Sequence, residues 1–134
     1  MPRTMTFLPE TSVVKSVYSG VVPPEVVIQG IHEALAFARE HGVSKFLTDC
    51  SALEAGAAPS DLYQLAELLA GVGGARGLRE AIVLPHLKQA ATDIRFWETT
   101  CRNRGVRIQI VKTVEEGEAW LAAQKTPSVL APVS

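Results

Sequence analysis

The sequence predicts an α/β domain in which helices cover a mostly parallel sheet. Extended segments alternate with amphipathic helical segments in the order β-β-α-β-α-β-α-β-α, which is the pattern of an α/β layer fold. The continuous apolar run from Ala81 to Leu84 is typical of a parallel strand that is buried on both faces. The length of 134 residues suits one domain. We therefore expect a single domain over residues 1–123 and a flexible tail over residues 124–134.

The first two predicted strands form a hairpin. Residues 3–8 alternate weakly, Pro9 to Ser12 is typical of a turn, and Val13 to Tyr18 is rich in β-branched and aromatic side chains. A connection of this length is too short for a parallel crossover, so the two strands should be antiparallel.

Each predicted helix has recognisable ends. The first begins at Pro23–Glu25 and ends at Gly42. Ser60–Asp61 is a candidate cap for the second helix, and Pro85–His86 is predicted to begin the third. Thr113 with Glu116 forms a capping box at the start of the fourth. Apolar residues three and four apart give these helices one buried face: Ile28, Ile31, Leu35, Ala38, Leu62, Leu65, Leu69, Leu87, Ala90, Ile94, Trp97 and Cys101.

The remaining segments complete the predicted sheet. Lys45 to Asp49 is a short strand, and the small residues from Cys50 to Pro59 favour a loop. The glycine-rich stretch Gly71–Gly77 follows a helix and precedes a strand, which is the reverse of a phosphate-binding loop, so it is interpreted as a connection. Val106 to Ile110 alternates apolar and polar residues, which is typical of a half-exposed or edge strand.

Composition excludes several classes of protein. With 13 basic and 14 acidic residues, the net charge of -1 argues against nucleic-acid binding through bulk charge. Cys50 and Cys101 have no Cys or His within four positions, so neither a zinc site nor any other metal or cofactor is predicted. No apolar run is long enough for a signal peptide or a membrane span. We expect free thiols and a cytoplasmic location.

Five short segments carry a resemblance to a known family. They are Tyr18–Gly20, Lys45–Ser51, Ala81–Pro85, Asn103–Gly105 and Ala119–Leu121. In order and spacing the chain resembles the SpoIIAA-like family over about residues 5–123. That family is grouped with STAS domains and, more distantly, with the Sec14 lipid-binding fold. The resemblance implies a binding or regulatory module rather than an established enzyme, and we assign no catalytic residue.

The resemblance also implies a site of regulation from which this chain departs. STAS antagonists of anti-sigma factors carry a phosphorylated Ser in an Asp-Ser-x-Gly sequence, in the loop after the third strand. Here Ala57–Ala58 replaces the Asp-Ser pair, and the nearest hydroxyls belong to Ser51 and Ser60. The replacement argues against the phosphorylation switch.

Polar residues should meet at the carboxyl edge of the parallel strands, where α/β sheets bind ligands. The candidates for binding a ligand or partner there are Asp49, Cys50, Ser51, Ser60, His86, Lys112 and Thr113. A small anion held by helix N-terminal amides and Lys112 would fit. The alternatives are that Asp49 caps local amides, that His86 is a surface residue, and that Cys50 is a buried, inert thiol.

Three functions follow from these observations. The first is a non-catalytic module that binds a protein partner or a second copy of itself, through the last strand or through the apolar tail at 129–133. The second is a small carrier of a lipid or other apolar ligand, which needs a pocket of about 300 Å³ between helices and sheet. The third is an enzyme, which needs Asp49, His86 and Cys50 to converge at a cleft.

Overall fold

A computed structural model of the chain describes residues 3–56, 59–72, 77–103 and 106–124. Over these residues the chain forms a five-stranded sheet and four helices, which confirms the α/β class and the predicted element order. The elements are β1 (Arg3–Leu8), β2 (Val13–Val21), α1 (Pro24–His41), β3 (Lys45–Ala55), α2 (Pro59–Val72), β4 (Arg79–Val83), α3 (Lys88–Arg102), β5 (Arg107–Val111) and α4 (Val114–Ala123).

The strands lie in the sheet in the order of the sequence, β1-β2-β3-β4-β5. β1 and β2 pair antiparallel, with Arg3 opposite Tyr18 and Leu8 opposite Val13, so the hairpin is confirmed. The remaining pairs, β2–β3, β3–β4 and β4–β5, are all parallel. β5 is an edge strand, as its alternating pattern predicted.

The sheet has one apolar core on each face. α1, α2 and α3 lie on one face, where Ala34, Leu62 and Trp97 share a buried cluster with strand residues such as Val14 and Phe46. α4 lies on the other face, where Leu121 packs with a second set of strand residues: Val13, Leu47, Ala81, Val83 and Val111. Because strand side chains alternate, neighbouring residues of one strand enter different cores.

The predicted helix ends are correct for α1 and α4. Gly42 follows α1 in the left-handed conformation, with φ 66°, and its N–H donates to the carbonyl of Ala38. Thr113 caps α4, since its Oγ1 accepts a hydrogen bond from the N–H of Glu116 at 3.1 Å. The Glu116 carboxylate in turn accepts from the N–H of Lys112 at 3.0 Å, so the capping box is reciprocal.

The prediction of a loop from Cys50 is wrong, because β3 continues to Ala55. Its last residues pair with β2 as far as Val21 opposite Ala55. Two register shifts along this pair each insert one extra residue into β3. The first explains how Cys50 and Leu53, three residues apart, both reach the core under α1. Small residues thus continue the strand because a long partner is available.

Two predicted helix starts are also displaced. α3 begins at Lys88, with Leu87 as an extended N-cap, so His86 precedes the helix and Leu87 is 51% exposed instead of lying on the apolar face. α2 begins at Pro59, so Ser60 lies in its first turn and is not its cap. Some predictions fall on residues that the structure does not describe. These residues are Ala57–Ala58, Gly73 to Arg76, Arg104–Gly105 and the tail after Gln124.

Candidate functional site

The predicted cluster at the carboxyl edge is divided between the two faces of the sheet. Asp49 lies level with Val83, which in turn lies level with Val111, so the ends of β4 and β5 lie beside Asp49, which is within β3. Asp49, however, shares the α4 face with Leu47, whereas Cys50 is buried on the opposite face. The sheet therefore separates side chains that are adjacent in the sequence.

The other members of that cluster have local roles. One oxygen of the Asp49 carboxylate accepts hydrogen bonds from the Ser51 N–H at 3.0 Å and from the Ser51 hydroxyl at 2.7 Å. Asp49 therefore caps a local amide, which was the alternative to a role in ligand binding. His86 and Lys112 are exposed, Ser60 is exposed, and Thr113 caps α4. Within the part of the chain that the structure describes, no hydrogen bond or ion pair joins Asp49, His86 and the Lys112 side chain.

Positive charge lies instead at the opposite ends of the strands. Lys45, Arg79 and Arg107 are in register across β3, β4 and β5. Arg79 is buried, and its guanidinium donates to the carbonyl of Gly77. Burial lowers the pKa of Arg79, and Arg107 adds to the effect. The structure thus does not gather cations around Lys112, where an anion was expected.

A cavity lies between the sheet and the helices of the α1–α3 face. Its volume is about 110 Å³. α1 forms one wall through Val27, Ile31 and Ala34, and α2 and α3, which pack against each other, form the other through residues such as Leu62 and Ile94. Most of the lining is apolar. The polar residues that reach the cavity are Ser16, Tyr18, Thr48, Cys50, Glu80, Asp93 and Trp97.

Strand alternation places this polar group under the helices. Ser16 pairs with Thr48 across β2 and β3, so both point toward α1. β4 directs Glu80 and Ile82 to the same side, two residues apart. The polar side chains of three neighbouring strands therefore form a row across the floor of the cavity.

Glu80 lies at the β4 end of this row. Its Oε2 accepts a hydrogen bond from the Thr48 hydroxyl at 2.6 Å, and its Oε1 accepts one from the indole N–H of Trp97 at 3.2 Å. Burial raises the pKa of Glu80, and the two hydrogen bonds act in the opposite direction. Both donors are neutral, so the carboxyl is oriented by the protein without a cation beside it.

Tyr18 and Cys50 form the end of the cavity next to Glu80. Burial raises the pKa of both groups far above their ordinary values. Cys50 is 3% exposed, which fits the interpretation of a buried, inert thiol. Gly30 of α1 leaves room for the Tyr18 ring, since a β-carbon there would collide with the Tyr18 hydroxyl and approach Cδ of Arg3 to 2.6 Å.

The lining has an unusual charge balance. Glu80 and Asp93 are acidic, and none of the described residues around the cavity is Lys, Arg or His. The nearby Arg3 is already paired with Glu33, its Nη2 lying 2.8 Å from Oε1. An apolar cavity with a few converging polar groups and one strongly perturbed carboxyl is the ordinary description of a ligand site.

Sequence reasoning missed Glu80 because the fourth strand was predicted to start at Ala81. The strand begins at Arg79, which gives Glu80 the same face as Ile82. An acidic residue two positions before a buried isoleucine is a signal that a longer strand prediction would have exposed. Trp97 was correctly expected in the core, at 5% exposed, but its hydrogen bond to Glu80 depends on the fold.

The chain matches no protein-family model, and comparison with curated proteins and with solved structures found no match either. Among the described residues, no helix is long and apolar enough to cross a membrane, and no three His, Cys, Asp or Glu side chains are grouped as metal ligands. Over its described residues the chain is an α/β protein with a small cavity between its sheet and three of its helices.

Proposed function

We propose that this protein is a binding module that holds a small, mainly apolar molecule in the cavity between α1, α2, α3 and the sheet. The observation that carries the proposal is Glu80, a carboxyl that lines an apolar cavity and is held by Thr48 and Trp97. Removing a carboxyl from water costs stability because desolvation of a polar group opposes folding, so we infer that Glu80 serves a purpose other than stability. Ligand binding is such a purpose.

The size of the cavity favours a small occupant over a lipid. A cavity of about 150 Å³ holds one benzene molecule, which has six non-hydrogen atoms, so the present volume of about 110 Å³ suits about four or five. Pockets for drug-sized ligands begin at about 300 Å³. The carrier hypothesis is therefore narrowed from lipids to small molecules.

The two tryptophans provide the test. The Trp97 indole N–H faces Glu80 in the cavity, and Trp120 packs on the opposite face with α4. Three probes of about five non-hydrogen atoms, 2-methylpropylamine, 2-methylpropanol and propanoate, can be screened by NMR of the two indole signals. Binding of at least one probe should move the Trp97 signal and leave that of Trp120 in place.

A matched pair of variants controls this experiment. Ala34→Leu fills the cavity from α1, whereas Ala36→Leu adds the same side chain to the exposed side of the same helix. Probe binding should be lost in the first variant and kept in the second. If Ala34→Leu does not fold, Ala90→Val can replace it, because it fills the cavity from α3 and should also abolish probe binding. If none of the probes shifts Trp97 in the parent protein, the proposal is wrong.

A second candidate is the regulatory, protein-binding module that the STAS resemblance implies. The element order favours it, and so does β1, whose outer side is a second edge of the sheet. Such a module would pair through β1 with a partner or with a second copy. Sedimentation velocity over a wide concentration range tests the second case, and a constant monomer would exclude self-pairing.

A further inference from the structure

We infer that the occupant of the cavity is a small organic cation, an alkylamine whose ammonium group pairs with the carboxylate of Glu80. This inference rests on the proposed function and specifies its ligand. It also replaces the anionic ligand that the sequence suggested.

The charges around the cavity exclude an anion and favour a cation. Two carboxyl groups, those of Glu80 and Asp93, face the same space, and no described Lys, Arg or His lines it. Asp93 lies on α3, where the amide of Gln89 donates to its carboxylate at 3.4 Å, and no described cation forms an ion pair with it. An anionic ligand would lie beside these acidic groups with no described basic side chain to balance its charge, in a medium of low dielectric constant where an unpaired charge is costly.

The geometry leaves Glu80 able to accept a further donor. Thr48 and Trp97 each occupy one lone pair, on different oxygens, and a carboxylate has about four such positions. These two bonds fix the carboxyl plane before a ligand arrives. An ammonium group has only hydrogen-bond donors. It can therefore donate to the free lone pairs of the Glu80 carboxylate, which Thr48 and Trp97 already hold in place.

Binding of the amine favours the ionised form of Glu80. Burial raises the pKa of Glu80, which favours the neutral carboxylic acid, and the hydrogen bonds from Thr48 and Trp97 act in the opposite direction. Where Glu80 is protonated, an entering alkylammonium ion displaces that proton to solvent and donates an N–H to the carboxylate, so the site gains no net charge. The other titratable groups facing Glu80 are Tyr18 on β2, Cys50 on β3 and Asp93 on α3. Arg3 and Glu33 lie beyond Tyr18 as a pair.

The test compares 2-methylpropylamine with 2-methylpropanol, which has the same shape and no charge. We expect the amine to bind the parent protein more tightly in calorimetric titrations. Glu80→Gln keeps the size of the side chain and should weaken amine binding about tenfold or more, because a buried charge partner is lost.

The outcomes separate this inference from the proposed function. If the alcohol binds as tightly as the amine, or if Glu80→Gln leaves amine binding unchanged, the cavity binds ligands but the cation assignment is wrong. If no probe binds, the proposed function itself fails. Asp93→Asn is a second variant that leaves the Thr48–Glu80–Trp97 bonds intact, and a modest weakening of amine binding is expected from it.

Discussion

At the level of single residues, Glu80 should make stability depend on pH. Its pKa is raised by burial, so the native state keeps a proton at pH values where the unfolded chain, with a pKa of about 4.3, has lost it. Because the native state then binds more protons, the free energy of unfolding should fall as the pH rises above about 4.3. Urea unfolding at a series of pH values measures this slope.

Glu80→Gln is the matched variant for that measurement. Glutamine does not titrate, and its amide can accept from Trp97 and donate to Thr48 Oγ1, so both hydrogen bonds have a replacement. Its free energy of unfolding should decrease less with pH than that of the parent protein. Parallel pH profiles for the two proteins would show that Glu80 does not titrate as burial predicts.

Gly30 is a second residue whose role is local. Alanine in a helix interior is usually more stable than glycine by about 1 kcal/mol. At this position, however, a β-carbon would collide with the buried Tyr18 hydroxyl. We expect Gly30→Ala to lower the midpoint of thermal unfolding, and to lower it less in a Tyr18→Phe background, where the hydroxyl is absent. If Gly30→Ala lowers the unfolding midpoint equally in the two backgrounds, the collision with the Tyr18 hydroxyl is not the cause of the loss.

At the level of elements, α4 approaches the sheet closely only because Gly117 faces it. A β-carbon at Gly117 would lie 2.7 Å from a methyl group of Leu47 and 3.4 Å from Ala81 and from Val111. Leu47 is fully buried and has little room to move. Gly117→Ala should therefore destabilise the fold by about 1–3 kcal/mol, the usual cost of overpacking, although alanine favours the helix itself.

A double mutant measures this contact directly. Leu47→Ala removes the methyl groups that the new β-carbon would meet, so Gly117→Ala should cost less in that background. Chemical denaturation of the four proteins gives the coupling. Additive effects would mean that α4 adjusts its position and that Gly117 is not required for the close approach.

The elements that the sequence predicted correctly are those with local signals. Gly42 and the Thr113–Glu116 capping box mark helix ends through their own backbone chemistry. The end of β3 has no such signal, because its small residues become a strand only through pairing with β2. The polar lining of the cavity could not be predicted at all. Ser16, Thr48 and Glu80 are far apart in the sequence, and only the folded sheet brings them to one cavity.

At the level of the whole molecule, side chains cover part of the β5 edge of the sheet. The Arg107 N–H and the Val111 carbonyl bond to Leu78 and Leu84, the residues on either side of β4. The backbone groups of Ile108 therefore point to the free side of β5. There the guanidinium of Arg102 donates to the Ile108 carbonyl from Nε at 3.1 Å and from Nη2 at 2.8 Å. The amide of Gln109 lies 3.5 Å from the Ile110 carbonyl. Side chains thus occupy the acceptors that a second strand would need.

This arrangement weighs against self-association through β5, and it predicts what removal of Arg102 would do. Arg102→Ala frees the Ile108 carbonyl, and an open strand edge is a template for pairing between chains. We expect the variant to self-associate at lower protein concentration than the parent protein, as measured by sedimentation velocity.

Arg95→Ala removes an exposed arginine from the same helix and should behave like the parent. Arg102→Lys retains the charge near Glu98 but not the forked donor. Its tendency to self-associate should therefore be intermediate between those of Arg102→Ala and the parent protein. Identical sedimentation of all four proteins would mean that the edge is closed by its twist or its shortness rather than by Arg102.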